Sequence, residues 1–114
     1  MAHPAPPKTE KTLLVLCNTP DCKTATGIGE NLIAARAAAC VNILPACRSL
    51  YRWQGEVALD EEVPLLIKTT AAQMDAVRRL ITAAHPYDMP EIIAVPIQDG
   101  LPAYLNWIAE ECTP

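Results

Sequence analysis

The stretch Ser49-Leu50-Tyr51-Arg52-Trp53-Gln54-Gly55-Glu56 decides how this chain folds. Residues 40–53, which lead into it, are typical of one long strand that is interrupted at Pro45. Gln54 and Gly55 form a tight turn, and from Glu56 the chain returns as a third strand through residues 63–69. Two strands joined by a short turn that contains glycine predict a β-hairpin.

One residue of the returning strand requires a special position. Pro64 has no backbone N–H, so it cannot donate to a neighbouring strand. We therefore expect Pro64 at a bulge or at a place where no partner is needed.

Strands and helices are predicted on both sides of the hairpin. Residues 12–17 form a short apolar run that predicts a buried strand, and Asp21 is a candidate N-cap for the helix that follows. Thr70-Ala71-Ala72-Gln73 is typical of a capping box that opens a second helix, and residues 92–95 predict a fourth strand after Pro90. The apolar positions of the two helices are Ala25, Ile28, Leu32, Ala35 and Ala39 in the first, and Met74, Val77, Ile81 and Ala84 in the second.

The order of these elements predicts the fold. It is β-α-β-β-α-β with a short C-terminal helix that carries Tyr104 to Ile108, and this order is the ferredoxin-like pattern of the α+β class. Right-handed crossovers place the strands in the spatial order 4-1-3-2, as an antiparallel sheet with both main helices on one face.

Composition narrows the classes of function. The chain has 114 residues and a formal net charge of −4, with no block of basic residues. This argues against nucleic acid and against an anionic membrane surface as partners. The longest apolar runs are also much shorter than a membrane span.

The start of the chain and its cysteines predict a compartment. Residues 1–11 lack the charged and apolar regions of an export signal, so we expect a flexible N-terminal arm over residues 1–11 and a single domain over residues 12–114. The five cysteines include no C-x-x-C pair. We therefore expect a cytoplasmic protein with reduced thiols.

The segment His85-Pro86-Tyr87-Asp88-Met89-Pro90-Glu91 concentrates polar groups between two prolines. Pro86 ends the preceding helix at His85, because the residue before a proline is disfavoured in the helical region. In the predicted topology Cys17 ends the first strand, and Glu91 begins the strand that returns beside it. We expect Cys17, His85 and Glu91 to gather at the end of the sheet that also carries the hairpin turn.

A thiolate, an imidazole and a carboxylate together can bind a transition metal, and the first two favour copper or zinc. Other roles are open from the residues alone: Cys17 as a small buried side chain, and Glu91 as the partner of an arginine or lysine. A Cys–His pair can also serve as nucleophile and base. No oxyanion-hole loop or glycine-rich phosphate cradle is visible, so we do not expect an enzyme.

Several segments stand in the order of a known family. They are Ala39-Cys40-Val41-Asn42-Ile43, the hairpin Ser49 to Glu56, Lys68-Thr69-Thr70, His85-Pro86-Tyr87 with Pro90-Glu91, and Tyr104-Leu105-Asn106-Trp107-Ile108. Over about residues 12–109 the chain closely resembles the CutA divalent-cation tolerance family. The resemblance implies a ferredoxin-like fold, a tightly packed homotrimer, a cytoplasmic setting and a role in tolerance to copper and other divalent metals.

The resemblance also implies a metal site. In such families a copper site has been placed on a cysteine near the end of the first strand and on histidines of the HPY segment, which here means Cys17 and His85. Some members have two adjacent histidines, and this chain has Ala84 before His85.

The length of the hairpin independently favours an assembly. A strand over residues 40–53 would span roughly 45 Å at ~3.3 Å per residue, whereas a compact body of this size is roughly 35 Å across. The hairpin must overhang or bend at Pro45, and an overhang would expose Tyr51, Trp53 and strand edges unless another subunit covers them. Three-fold closure would cover all three copies at once.

Two other functions are open. A signalling trimer of the PII type would bind a small ligand between subunits, but its long loop between the second and third strands has no room at Gln54-Gly55. A stable structural scaffold is the other alternative.

Overall fold

The computed structural model describes residues 11–113, and the predicted N-terminal arm lies outside the described residues except for Lys11. The elements are β1 (Thr12–Thr19), α1 (Cys22–Ala34), β2 (Cys40–Ile43), β3 (Cys47–Trp53), β4 (Glu56–Thr70), a short 3-10 turn (Ala71–Gln73), α2 (Met74–Ala84), β5 (Ile93–Pro96) and α3 (Pro102–Glu111). None of the helices in this part of the chain is long and apolar enough to cross a membrane.

The sheet has the predicted order. Its path is β2-β4-β1-β5, every pair is antiparallel, and β3 also pairs with β4. The predicted long second strand is therefore split into β2 and β3, which both lie beside β4 and are separated at Leu44–Ala46. This confirms the interruption that was expected at Pro45.

One face of the sheet forms the core with the two main helices. From β1 and β4 it buries alternate residues, because successive side chains of a strand point to opposite faces. The fully or nearly fully buried side chains include Val15, Cys17, Leu65 and Ile67 from these strands, Ala25, Ile28 and Leu32 from α1, and Val77 and Ile81 from α2.

The hairpin extends beyond this core. β1 pairs with β4 only from Thr70 back to Val63, and residues 56–62 of β4 pair with β3 alone. Gln54 and Gly55 have φ angles of 48° and 83°, which is the two-residue turn that fits the twist of a hairpin. The subunit is 56 Å long and only 25 by 23 Å across, so the predicted overhang is confirmed.

Pro64 lies at a position where no neighbouring strand requires a backbone N–H donor. Its carbonyl accepts a 3.0 Å hydrogen bond from the N–H of Leu44, so the backbone groups of Pro64 face the gap between β2 and β3. The second of the two predicted alternatives, a place without a partner, is confirmed.

The start of α1 agrees with the prediction, whereas its end does not. Asp21 caps α1 as predicted, since its Oδ1 accepts a 2.7 Å hydrogen bond from the N–H of Thr24. However, α1 ends at Ala34, so Ala35 is an exposed capping residue and Ala39 lies outside the helix. The reason is a left-handed Arg36 (φ 55°), after which Ala37 donates back to the carbonyl of Leu32 and closes the helix.

The predicted capping box at Thr70 is wrong. Thr70 is still paired with Thr12 in the sheet, it is almost fully buried, and its side chain makes no capping hydrogen bond. The 3-10 turn then delays α2 to Met74, which makes Gln73 the residue before the helix. Met74, Val77 and Ile81 are buried as expected, whereas Ala84 is exposed because it lies in the last turn.

Candidate functional site: a cleft beside the histidine loop

The loop of residues 85–91, called the histidine loop below, begins where α2 ends. His85 donates its N–H to the carbonyl of Ile81 and then turns to an extended conformation (φ −86°, ψ 133°). Pro86 requires this conformation, so the predicted end of the helix at His85 is confirmed.

His85 is a buried histidine with both ring nitrogens in use. Its Nε2 lies 2.7 Å from the carbonyl oxygen of Asn18, and its Nδ1 lies 3.2 Å from the backbone nitrogen of Tyr87. Because the Tyr87 N–H donates to Nδ1, the ring proton belongs on Nε2, which then donates to Asn18. The imidazole thus ties the histidine loop to the end of β1.

The Asn18 carbonyl needs this partner because of its place in the sheet. Asn18 stands opposite Pro64, whose backbone groups face away from β1, so the two residues exchange no hydrogen bonds. The carbonyl of Asn18 therefore points toward the β5 side, where pairing already ends at Leu16 and Ile93. His85 takes the position that a longer β5 would occupy.

Cys17 is deeply buried next to this contact and is only 1% exposed. Burial, and to a smaller extent the charges of Glu91 and Glu62, together raise the pKa of its thiol to about 12. Cys17 therefore carries a proton at neutral pH, and a metal ion could bind its thiolate only by displacing that proton.

Glu91 is exposed and also contacts Asn18. The side-chain nitrogen of Asn18 lies 3.5 Å from Oε1 of Glu91, and no ion pair of Glu91 with an arginine or lysine occurs among residues 11–113. His85 and Glu91 thus both contact the residue that follows Cys17. Within the described residues no three His, Cys, Asp or Glu side chains are grouped closely enough to hold a metal ion. The metal role of Cys17, His85 and Glu91 stays a prediction.

A cleft of about 820 Å³ opens between the histidine loop and the overhanging hairpin. At the hairpin end it is lined by Ser49, Leu50, Tyr51, Arg52, Trp53, Asp60 and Glu62, and at the loop end by Asn18, Pro86, Tyr87, Asp88, Met89 and Glu91. Its size is in the range of small-ligand sites. Four carboxylates and one guanidinium make its lining acidic.

Two tyrosine hydroxyls form hydrogen bonds with carboxylates at the hairpin end of the cleft, but they leave the negative charges uncompensated. The hydroxyl of Tyr51 donates to Asp60, and that of Tyr87 lies 3.3 Å from Oε2 of Glu62. The hydrogen bond to Asp60 raises the pKa of Tyr51 to about 12, and burial followed by the charge of Glu62 raises the pKa of Tyr87. Among the described residues no cation forms an ion pair with Asp60 or Glu62.

The hairpin residues of the cleft were not predicted from the sequence, although the sequence contains a signal for them. A tight turn at Gln54-Gly55 sets the register Trp53–Glu56, and counting back from it places Ser49 opposite Asp60. Tyr51, Asp60 and Glu62 then fall on one face of the hairpin. The alternation of side chains between the two faces of a strand thus continues from the core into the overhang.

Comparison with known proteins agrees with this architecture. The family model of the CutA1 divalent ion tolerance protein matches residues 13–111. The divalent-cation tolerance protein CutA of Thermus thermophilus is 45% identical over 97 residues, which cover 85% of this chain and 94% of that protein.

Solved structures give the same result. The crystal structure of CutA from Xylella fastidiosa has a TM-score of 0.87 and 43% identity, and the match covers 90% of this chain and 98% of that one. A protein from Archaeoglobus fulgidus described as a periplasmic divalent cation tolerance protein CutA has a TM-score of 0.86 and 31% identity, with 90% and 99% covered. The chain belongs to the CutA1 divalent ion tolerance protein family.

Proposed function

We propose that this chain forms a cytoplasmic homotrimer that acts in tolerance to divalent cations by binding them at the loop end of the cleft. The observation that carries the proposal is the set of carboxylates there, which have no cationic partner among residues 11–113. Membership of a divalent ion tolerance family supports the same class of ligand.

The donors at the loop end suit hard cations. Asp88 and Glu91 supply carboxylate oxygens, and Asn18 supplies an amide oxygen. Mg²⁺ is typically bound in proteins through one or two carboxylates while it keeps several waters. We therefore expect weak binding of a hydrated divalent cation at this end.

Copper on Cys17, His85 and Glu91 is the competing form of the proposal. In the arrangement described above these donors do not fit copper, because both nitrogens of His85 are in hydrogen bonds and the Cys17 thiol is protonated. Copper binding there would require the imidazole to release Asn18 or Tyr87. It would also weaken as the pH falls, since the ligands must be deprotonated.

The trimer is supported by apolar surface that one copy leaves uncovered. On β5, Ile93 and Val95 are 52% and 46% exposed, and they lie beside Leu16 and Leu14 on the sheet face opposite the helices. The hairpin adds the exposed apolar side chains of Leu50, Val57 and Leu59, and exposed apolar surface of this kind is typical of protein–protein contacts. A second and a third copy would cover it.

Isothermal titration of Mn²⁺ and Cu²⁺ into the wild type and four variants tests the site. We expect Glu91→Gln to weaken Mn²⁺ binding at least ~10-fold, and Cys17→Ser to leave it unchanged. Glu30→Gln, which removes an exposed carboxylate on α1, is the matched control. If Cu²⁺ alone binds, and Cys17→Ser and His85→Ala abolish it, the copper site replaces this one. Absence of binding by either ion would overturn the proposal.

The compartment has its own test. The Archaeoglobus fulgidus relative is described as periplasmic, so the cytoplasmic setting proposed here needs direct measurement. Cell fractionation should recover the chain with cytoplasmic markers, and recovery with exported proteins would contradict the proposal.

A further inference from the structure

The overhanging hairpin has two chemically different faces. Its register places Arg48, Leu50 and Arg52 on the same face as Val57 and Leu59. We call this the guanidinium face. The opposite face, here called the carboxylate face, carries Tyr51, Trp53, Asp60 and Glu62 and forms one wall of the cleft.

Charges on both faces lack ion-pair partners in the described part of the same copy. Arg48 and Arg52 form no ion pair among residues 11–113, and neither do Asp60 and Glu62. Glu61 stands opposite Arg48 in the register but is not within ion-pair distance. Arg52 is also among the residues that line the cleft. Within residues 11–113 the hairpin therefore presents guanidinium groups without an ion-pair partner on one side and carboxylates without a counter-charge on the other.

The apolar side chains follow the same division. On the guanidinium face Leu50, Val57 and Leu59 are 71%, 64% and 51% exposed. On the carboxylate face Trp53 and Tyr51 are 46% and 40% exposed, and Met89 of the histidine loop is 70% exposed. Aliphatic surface thus accompanies the arginines, and aromatic surface accompanies the carboxylates, so the two faces can bury apolar area as well as pair charges.

We propose that the guanidinium face of each copy docks on the carboxylate face of the next copy, so that an arginine from a second copy of the chain pairs with Asp60 and Glu62. The hairpin end of the cleft is then incomplete in a single subunit, and the loop end stays available to the cation. Guanidinium groups suit this role because they stay charged and bind carboxylates with two parallel hydrogen bonds. The inference rests on the homotrimer proposed above.

The two faces also determine the symmetry of the contact. Different patches meet, so the contact is heterologous and repeats head to tail around a ring until it closes. A two-fold dimer would instead bring one face against the same face of its partner, arginine toward arginine or carboxylate toward carboxylate. Charge complementarity therefore favours a ring of copies over a dimer.

Zero-length carbodiimide cross-linking tests the contact, because it joins an amine to a carboxylate that touches it. Arg48→Lys and Arg52→Lys keep the positive charge and supply the amine. Each variant is refolded as an equal mixture of ¹⁴N- and ¹⁵N-labelled chains, cross-linked and analysed by mass spectrometry. Arg79→Lys, an exposed position on α2, is the matched control.

We expect at least one of the two hairpin variants to give peptides of mixed isotope label that join its new lysine to Asp60 or Glu62, and the control to give none. A trimer without such mixed-label links would overturn the docking and leave the trimer intact. A monomer would overturn the trimer itself, so the two failures are distinguishable.

Discussion

The two halves of β4 show the same strand in two environments. Residues 63–70 lie between β1 and β2 with alternate side chains buried, while residues 56–62 pair only with β3 and leave Val57 and Leu59 largely exposed. Both halves carry apolar residues at alternate positions. What differs is the layer above them, since helices cover residues 63–70, whereas no element within residues 11–113 of the same copy covers residues 56–62. The hairpin thus exposes the same alternating apolar pattern that the rest of β4 buries, as expected for a surface that another copy covers.

The largest effect is expected on the free energy of unfolding, when a side chain in the buried half of β4 is shortened. Ile67 is fully buried between the sheet and the helices, so Ile67→Ala should lower the free energy of unfolding by about 2–5 kcal/mol. Ile33→Ala is the matched control, because Ile33 is 45% exposed and should cost less than about 1 kcal/mol. Urea denaturation measures both, and equal losses would contradict the division between core and surface.

The next largest effect is expected in the overhanging hairpin, where a substitution should weaken the association of copies of the chain. Trp53→Ala should weaken association by about 2 kcal/mol or more per contact, because aromatic anchors dominate interface energetics. Sedimentation over a range of concentrations should show dissociation that the wild type does not show. If Trp53→Ala and the wild type associate equally, Trp53 lies outside the interface.

The core half was predictable from sequence, and the cleft was not. The strands followed from local apolar patterns, as at Val63, Leu65 and Ile67. Their order in the sheet followed from the right-handedness of crossover connections. The capping box at Thr70 failed because sheet pairing with Thr12 outweighed a local helix signal. Cys17, His85 and Glu91 were placed near one another by topology alone.

What topology could not supply was the hydrogen-bond state of the site. Whether the nitrogens of His85 are available depends on the Asn18 carbonyl, which is left without a strand partner by the early end of β5 and by Pro64. Such an effect involves three separate elements, and no short motif contains it.

A smaller effect on the free energy of unfolding is expected at His85, which connects the histidine loop to the end of β1. His85→Ala removes the donor to the Asn18 carbonyl and the acceptor for the Tyr87 N–H, so we expect a loss of about 1–3 kcal/mol in the free energy of unfolding. Thermal or urea denaturation checks this value. A variant as stable as the wild type would show that His85 does not hold the histidine loop.

The smallest effect concerns Tyr51, and it appears in alkali. Its pKa is raised to about 12, so the folded state favours the neutral phenol. The resulting stabilisation is present below about pH 10, where an unfolded tyrosine is also neutral, and it is lost as the pH rises toward 12. Asp60→Asn should lower the pKa of Tyr51 in an ultraviolet titration, with Tyr51→Phe identifying the transition. An unchanged titration in Asp60→Asn would contradict the assigned hydrogen bond.

We expect the overhanging hairpin to be covered by other copies of the chain, and the molecular mass in solution tests this expectation. Light scattering on the eluting protein at micromolar concentration should give three times the chain mass of 12.4 kDa. A single species at 12.4 kDa would contradict this expectation, because no other copy of the chain would then cover the exposed faces of the hairpin.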